Sequence, residues 1–389
     1  MKNNNFKKAI GKIHLWLGLS SGIIVFIIAI TGCLYAFQEE IQNITEEYRF
    51  VQEQNKPFLP PSQLEKIAKK ELPNKALHAI KYNEKSDAVE AIFFHYQPTY
   101  HYTTYINPYT GKVLKTINNK EGFFPFILDG HFYLWLPDEI GQVVIASATL
   151  IFLAMIISGL ILWYPRNKNA LKQRFWFRWK KGQKWKRKNY DLHNITGFYI
   201  CLIALIFAIT GLVWGFQWFA YSYYTITGGE KSLIYEDPIS NRNEKTDLIV
   251  TNPLDKVWIK MNEEYPAAKS IEIHPPETAA SSIAANANLD KGTYWKIDYR
   301  YFDQYSLKEM KVSHIWGRTS DDKIADKLAK MNYDIHTGAV LGLPGKIFAF
   351  LISLLIASLP VTGFYIWWGR NKKAKNKLVK KYSKNDLAL

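Results

Sequence analysis

"HLWLGLSSGIIVFIIAITGCLYAFQ", residues 14–38, admits two incompatible readings. Ile30-Thr31-Gly32-Cys33 has the form of a bacterial lipoprotein cleavage box, with Cys33 as the lipidated first residue. The same run is also long enough for a permanent membrane helix, since about 20 apolar residues span roughly 30 Å of hydrocarbon. Cleavage would discard His14. A second stretch decides the matter. "HNITGFYICLIALIFAITGLVWGFQ", residues 193–217, lies over the first without gaps and is identical at ten of 25 positions. The shared positions include the His, Gly18 and Gly197, the Ala-Ile-Thr-Gly block and the closing Phe-Gln. In the second copy Leu212 stands where a lipobox needs cysteine, in mid-chain where no signal peptidase acts. Ile-Thr-Gly therefore reads as part of a repeated helix, and His14 stays in the protein.

Two more apolar runs correspond in the same way. "SGLILWYPR" (158–166) matches "TGFYIWWGR" (362–370), and upstream lie "LDGHFYLWLPDEIG" (128–141) and "NYDIHTGAVLGLPG" (332–345). The expectation is an α-helical membrane protein. Its four-span bundle, near 15–37, 141–164, 195–219 and 345–368, is built from two helix–outer domain–helix repeats. A mean hydropathy of −0.17 hides this concentration of apolar residues.

The net charge of +16 is distributed in a way that excludes nucleic acid as the explanation. Residues 1–14 hold four Lys and no acid, residues 165–190 hold eleven Lys/Arg and no acid, and the tail from Arg370 holds eight Lys/Arg and one Asp. The segments 38–140 and 220–335 are each acidic by three charges. The positive-inside rule then puts both termini and the 165–190 loop in the cytoplasm and the long segments outside. Anionic headgroups of the lipid bilayer satisfy a polybasic loop. Trp163, Tyr164, Trp367 and Trp368 fall where an interfacial aromatic belt would sit. The two cysteines, Cys33 and Cys201, lie in apolar runs and suggest no disulfide framework. No Gly-rich dinucleotide loop, P-loop or CxxCH occurs.

The expected divisions are 1–37, cytoplasmic N-terminus and first span; 38–130, first outer domain; 131–164, outer His segment and second span; 165–191, basic loop. The second half repeats them as 192–219, third span; 220–335, second outer domain; 336–369, outer His segment and fourth span; 370–389, basic tail. Each outer domain reads as small and α+β. Helices are expected near 63–72 and 253–266, and strands at 88–94, 101–106, after 106–114 and within 293–310.

Four of the nine histidines occupy equivalent places. His14 and His193 begin spans one and three, each 17 residues before its Thr-Gly. At 1.5 Å per residue that is ~25 Å, most of the hydrocarbon. His131 and His336 precede spans two and four on the other side. Two histidines at each of two depths suit haem iron, which takes axial ligands from opposite faces of the porphyrin, with the macrocycle held between helices of a bundle. Zinc would want three or four ligands close together. A proton relay would want carboxylates within the spans. His95 and His101 could lie on neighbouring strands and touch a metal or substrate, although a solvated role suits them better. His274, before Pro275-Pro276, reads as loop, and His78 and His314 carry no pairing signal. The Ser/Thr-Gly pairs at 31–32, 158–159, 210–211 and 362–363 could contact a ligand but read more naturally as packing points between helices.

"KIHLWLGL…AITG", "LHNITGFY…AITG" and "GHFYLWLPDEIG…SGLILWYPR" resemble the PepSY-associated transmembrane family of bacterial inner-membrane proteins. "INPYTGKVL" and, with departures, "FDQYSLKEM" resemble the end of the extracytoplasmic PepSY module. The resemblance covers nearly the whole chain. It implies two PepSY-like outer domains and a di-haem ferric-siderophore reductase acting in iron uptake, with an external donor, a quinol or a cytoplasmic reductase. It implies two haem b, with His14, His193, His131 and His336 as ligands. Topology pairs 14 with 193 and 131 with 336. Ser306-Leu307 stands where the first module has Thr110-Gly111, so the second turn is expected to differ. A basic residue expected after the outer His is absent: Phe132-Tyr133 follows His131, and Thr337-Gly338 follows His336. One rival is a haem-free membrane regulatory or scaffold protein whose modules bind a peptidase or other partner. A transporter would need broken helices and polar groups at the midplane, which these spans lack.

Overall fold

The computed structural model describes residues 2–165, 174–242 and 252–385. Part of the basic loop, 166–173, and the end of the basic tail lie outside the described residues. Four helices are long and apolar enough to cross a membrane: Asn5–Tyr35, Asp138–Trp163, Trp185–Gly215 and Ala339–Asn371. In lipid, a backbone that satisfies all its own hydrogen bonds is the stable choice, and a helix does so within one segment.

The first half runs α1 (Lys2–Tyr35), α2 (Gln38–Thr45), α3 (Pro61–Glu71), β1 (Leu77–Tyr82), β2 (Val89–Tyr96), β3 (Thr99–Ile106), β4 (Val113–Asn118), α4 (Phe123–Tyr133) and α5 (Asp138–Trp163). The second runs α6 (Trp185–Asp191), a π-helical turn at Leu192–Thr196, α7 (Gly197–Gly215), α8 (Gln217–Ile226), α9 (Pro253–Glu264), β5 (Ser270–His274), β6 (Ile283–Asn288), β7 (Ile297–Phe302), β8 (Glu309–Met310), α10 (Ile324–Lys330), α11 (Asn332–Thr337) and α12 (Gly342–Asn385).

The spans form a bundle in which α1 packs on α5 and α12, and α5 on α7. Val25, Ala29, Ile200, Ala204, Ile352, Ile356 and Ala357 meet at its centre. Residues beyond the spans form one antiparallel sheet, ordered β4-β3-β2-β1-β5-β6-β7-β8. The two outer segments join where β1 pairs with β5, Lys81 opposite Glu272. One face is covered by helices. Leu64 and Ala68 of α3 pack on Ile80, Ala91 and Phe93. Val257 and Met261 of α9 pack on Ile273, Ile283 and Phe302. Each such buried Leu, Ile or Phe contributes about 1.5–3 kcal/mol. The other face is turned to the bundle.

Helices and strands form at the expected places around 63–72, 88–94, 101–106 and 253–266, while β1, β5 and β6 are new. His274 is the last residue of β5 and not loop. Trp163 does not lie in an interfacial belt; it is buried, stacked on Phe198 with centroids 3.7 Å apart. Tyr164 and Trp368 are exposed as a belt requires.

The second turn does not differ from the first. Asn107 Oδ1 accepts the backbone N–H groups of Tyr109 and Thr110, as Asp303 Oδ1 accepts those of Tyr305 and Ser306. Gly111 and Leu307 both take left-handed backbone, φ 73° and 56°. Asp substitutes for Asn as the turn's acceptor, so the loss of glycine leaves the geometry intact. Leu307 offsets its strain by packing against the second core. At Gly111 a Cβ would stand 2.7 Å from Ile67 Cδ1. Gly111→Ala should therefore destabilise the outer layer by about 1–3 kcal/mol. Leu307→Gly should cost about 1 kcal/mol or less, since relieved strain offsets lost packing. Thermal unfolding of the two variants measures the difference.

Candidate functional site: paired histidines beneath a polar chamber

The structure brings the four candidate histidines together as two pairs. His14 and His193 have ring centroids 6.5 Å apart, at the end of the bundle that carries the termini. His131 and His336 have centroids 6.2 Å apart, at the end beneath the sheet. His14 is on α1, His193 is in the π turn leading into α7, and His131 and His336 are on the short helices α4 and α11. A π turn inside a helix often marks a functional site.

Each imidazole is gripped in the same way by a neighbouring helix. His14 Nδ1 lies 2.9 Å from Ser158 Oγ, and His131 Nδ1 3.1 Å from Thr31 Oγ1. His193 Nδ1 lies 2.9 Å from Thr362 Oγ1, and His336 Nδ1 2.8 Å from Thr210 Oγ1. The hydroxyls already have work for their protons. Thr31, Thr210 and Thr362 donate to the carbonyls of Ile27, Ile206 and Ser358, one turn back, and Ser158 donates to Met155 O. Each hydroxyl oxygen is then left as acceptor, so Nδ1 carries the ring proton and donates it. The bond network thereby assigns the tautomer. In the neutral ring this leaves Nε2 unprotonated, the form in which imidazole binds a metal.

The glycine after each hydroxyl completes the grip. A Cβ on Gly159, Gly32, Gly363 or Gly211 would lie 3.2–3.6 Å from Cε1 of the His held by its neighbour. The Ser/Thr-Gly pairs are packing points, as expected from sequence, but what they pack against is histidine.

An imidazole nitrogen sits about 2 Å from a bound transition-metal ion and about 1.2 Å from its own ring centroid, so two opposed imidazoles on one ion place their centroids roughly 6.4 Å apart. Both pairs match that spacing. Among the described residues no group of three or more His, Cys, Asp or Glu could hold a metal. Each pair could thus offer two nitrogen donors to one ion. Thr31, 17 residues from His14 on the same helix, puts the pairs ~25 Å apart along α1.

The outer pair opens into a chamber of about 1650 Å³ between bundle and sheet. Phe207 and Trp214 stand 5.6 and 5.3 Å from the His336 ring, and Phe132 lies 6.4 Å from Trp214. Overhead, the bare sheet face presents Glu90, Lys81, Glu272 and Asn286 opposite one another across four strands. Lys81 Nζ lies 3.6 Å from Glu90, whose charge holds the ammonium above its usual range. Burial would raise the Glu272 carboxyl, but His274, at 3.2 Å, and then Lys81 outweigh it and hold it at about 2.

Sequence reasoning missed this polar row because β1, β5 and β6 escaped it. His78, without a sequence signal, meets His274 edge to face at 4.9 Å. His95 and His101 do not meet. The register puts them opposite Tyr100 and Phe94, so they project to opposite faces, and His101 lines the chamber. His314 is buried among Tyr235, Tyr301 and Trp316.

The profile of the family described as the PepSY-associated TM region matches residues 12–370. The chain belongs to that family. No curated protein matches it. In this PepSY-associated protein the family match spans both histidine pairs, the whole sheet and all but the ends of the first and last membrane helices.

The depressed Glu272 carboxyl makes a pH prediction. Its contribution to stability is present above its ordinary value of 4.5 and is lost as pH falls from there toward 2. Thermal unfolding at stepped pH should show an acid limb in that window, and Glu272→Gln should flatten it.

Proposed function

We propose that the protein is a di-haem b oxidoreductase of the bacterial inner membrane, carrying electrons outward to reduce ferric iron held in a siderophore or similar chelate. The observation that supports this best is the pairing of four Nδ1-anchored histidines at two depths, with ring separations of 6.5 and 6.2 Å. His14 and His193 would hold one haem, and His131 and His336 the other. When bound, the groups would supply one-electron redox chemistry at both depths. Ser158, Thr362, Thr31 and Thr210 fix ring plane and tautomer, a hydrogen bond that also raises ligand basicity.

In this reading the chain is two copies of one unit, and each unit gives one histidine to each pair. On this reading the basic flanks favour termini in the cytoplasm and the sheet in the periplasm. Small-molecule pockets usually run to about 300–1,000 Å³, so the chamber has room for a macrocycle edge and a chelate together. Aromatic residues wall its lower part, and the Glu90–Lys81–Glu272 row would face the chelate from above. One electron converts its Fe(III) to Fe(II), on which hard oxygen ligands hold less tightly. With no nucleotide-binding loop in the chain, the donor is external, a quinol or a cytoplasmic reductase.

The test is a reduced-minus-oxidised visible spectrum of the full chain purified from haem-replete membranes. Two b-type haems per chain are expected, and His14→Ala or His336→Ala should each leave one. Reduced protein should also convert a ferric chelate to its ferrous form, trapped by a colorimetric ferrous ligand. Absence of a b-type signal sinks the reading.

A further inference from the structure

The two halves of the chain do not hold their histidines equally. Asn189, in α6, donates from Nδ2 to the backbone carbonyl of Thr362 at 2.9 Å. Asn332, at the start of α11, donates in the same way to the carbonyl of Thr210 at 3.1 Å. Both side chains are buried, 3 % and 4 % exposed. Each stands four residues before a histidine, His193 or His336, and each grips the very threonine whose hydroxyl receives that histidine's Nδ1 proton. Asparagine, threonine and histidine thus form a closed loop: histidine and asparagine share one helical segment, and both bind one threonine across the helix interface.

The first half has no such loop. Four residues before His14 stands Ile10, and four before His131 stands Ile127. Neither side chain can donate a hydrogen bond. His14 and His131 are held by Ser158 and Thr31, with a backbone carbonyl, Ile28 O, 2.9 Å from His131 Nδ1. In each pair only the second-half histidine has its threonine braced by a buried asparagine; His131 has the Ile28 carbonyl as a second acceptor instead, and His14 has no asparagine brace.

We infer that Asn189 and Asn332 are positioning residues, each fixing the second-half histidine of one pair through the threonine that receives its Nδ1 proton. The inference rests on the haem reading above. With its threonine held, each second-half histidine would present Nε2 to a bound haem in one fixed orientation. Partners of this outer kind alter affinity by about 10–100-fold when removed from metal sites.

The experiment uses the full chain in detergent, with Asn189→Leu and Asn332→Leu beside wild type. The readouts are haem retained per chain against a competing apo-haem acceptor, the low-spin ferric electron paramagnetic resonance signals of the two centres, and a potentiometric titration. Each variant should weaken haem retention at one centre by about 10–100-fold and shift that centre's resonance and midpoint. The other centre should be unchanged. Asn332→Ala and Asn189→Ala repeat the comparison if a leucine variant fails to accumulate. A wild type without b-type haem refutes the haem reading itself. Wild type with two haems, and variants that leave both centres unchanged or perturb both equally, overturns the inference alone.

Discussion

The hydrogen bond from imidazole Nδ1 to a helix hydroxyl is the interaction on which the membrane half of this protein depends. It recurs four times and always crosses an interface between two elements. Within the first half it is reciprocal. Helix α1 gives His14 to Ser158 of α5, while its own Thr31 receives His131 of α4. In the second half His193 and Thr210 stand in the same relation to Thr362 and His336. A neutral hydrogen bond is worth only about 1 kcal/mol net, so the stabilisation is modest. The constraint is larger than the energy. The hydroxyl must also reach a carbonyl of its own helix, and the next residue must lack a Cβ, so helix separation and rotation are set together. A threonine that back-bonds to its own helix is ordinarily a neutral passenger. Here that bond decides which imidazole nitrogen keeps a proton.

The outer layer is tied to this bundle by buried charge. The Asp334 carboxylate, fully buried two residues before His336, accepts the backbone N–H groups of Tyr294 and Trp295 from the loop ahead of β7. Lys346, near the outer end of α12, donates to Glu40 of α2 at 2.8 Å. Removing the Asp334 carboxylate would leave two backbone N–H groups without their acceptor, which is costly where they are buried. These contacts hold the polar sheet face over the outer histidines and keep the chamber open between them.

Much of this was legible in the chain. Ten matched positions between 14–38 and 193–217, with the matched segments before the other two spans, singled out four histidines from nine. The spans followed from apolar length and their flanks from charge. Strands with aromatic and β-branched alternation, β2 and β3, were found. Strand β1, "LHAIKY", was missed because its alternation breaks at Ala79-Ile80, both buried beside a register shift, and β6, "IAANAN", because two of its three buried positions are alanine. The turn at Asp303–Leu307 shows the opposite error. Leucine for glycine suggested a different loop, yet the Asx acceptor that shapes the turn was conserved in chemistry, and packing offset the strain at Leu307.

The sequence by itself determined the membrane spans and marked out four candidate histidines, because these depend on local hydropathy and on spacing along single helices. Only the tertiary structure decided what each histidine touches, which nitrogen keeps its proton, and that two outer segments share one sheet above a chamber. Those facts depend on contacts between residues 100 or more positions apart. Ser158 and Thr362 look like any small residue in a helix until the facing helix brings an imidazole to them.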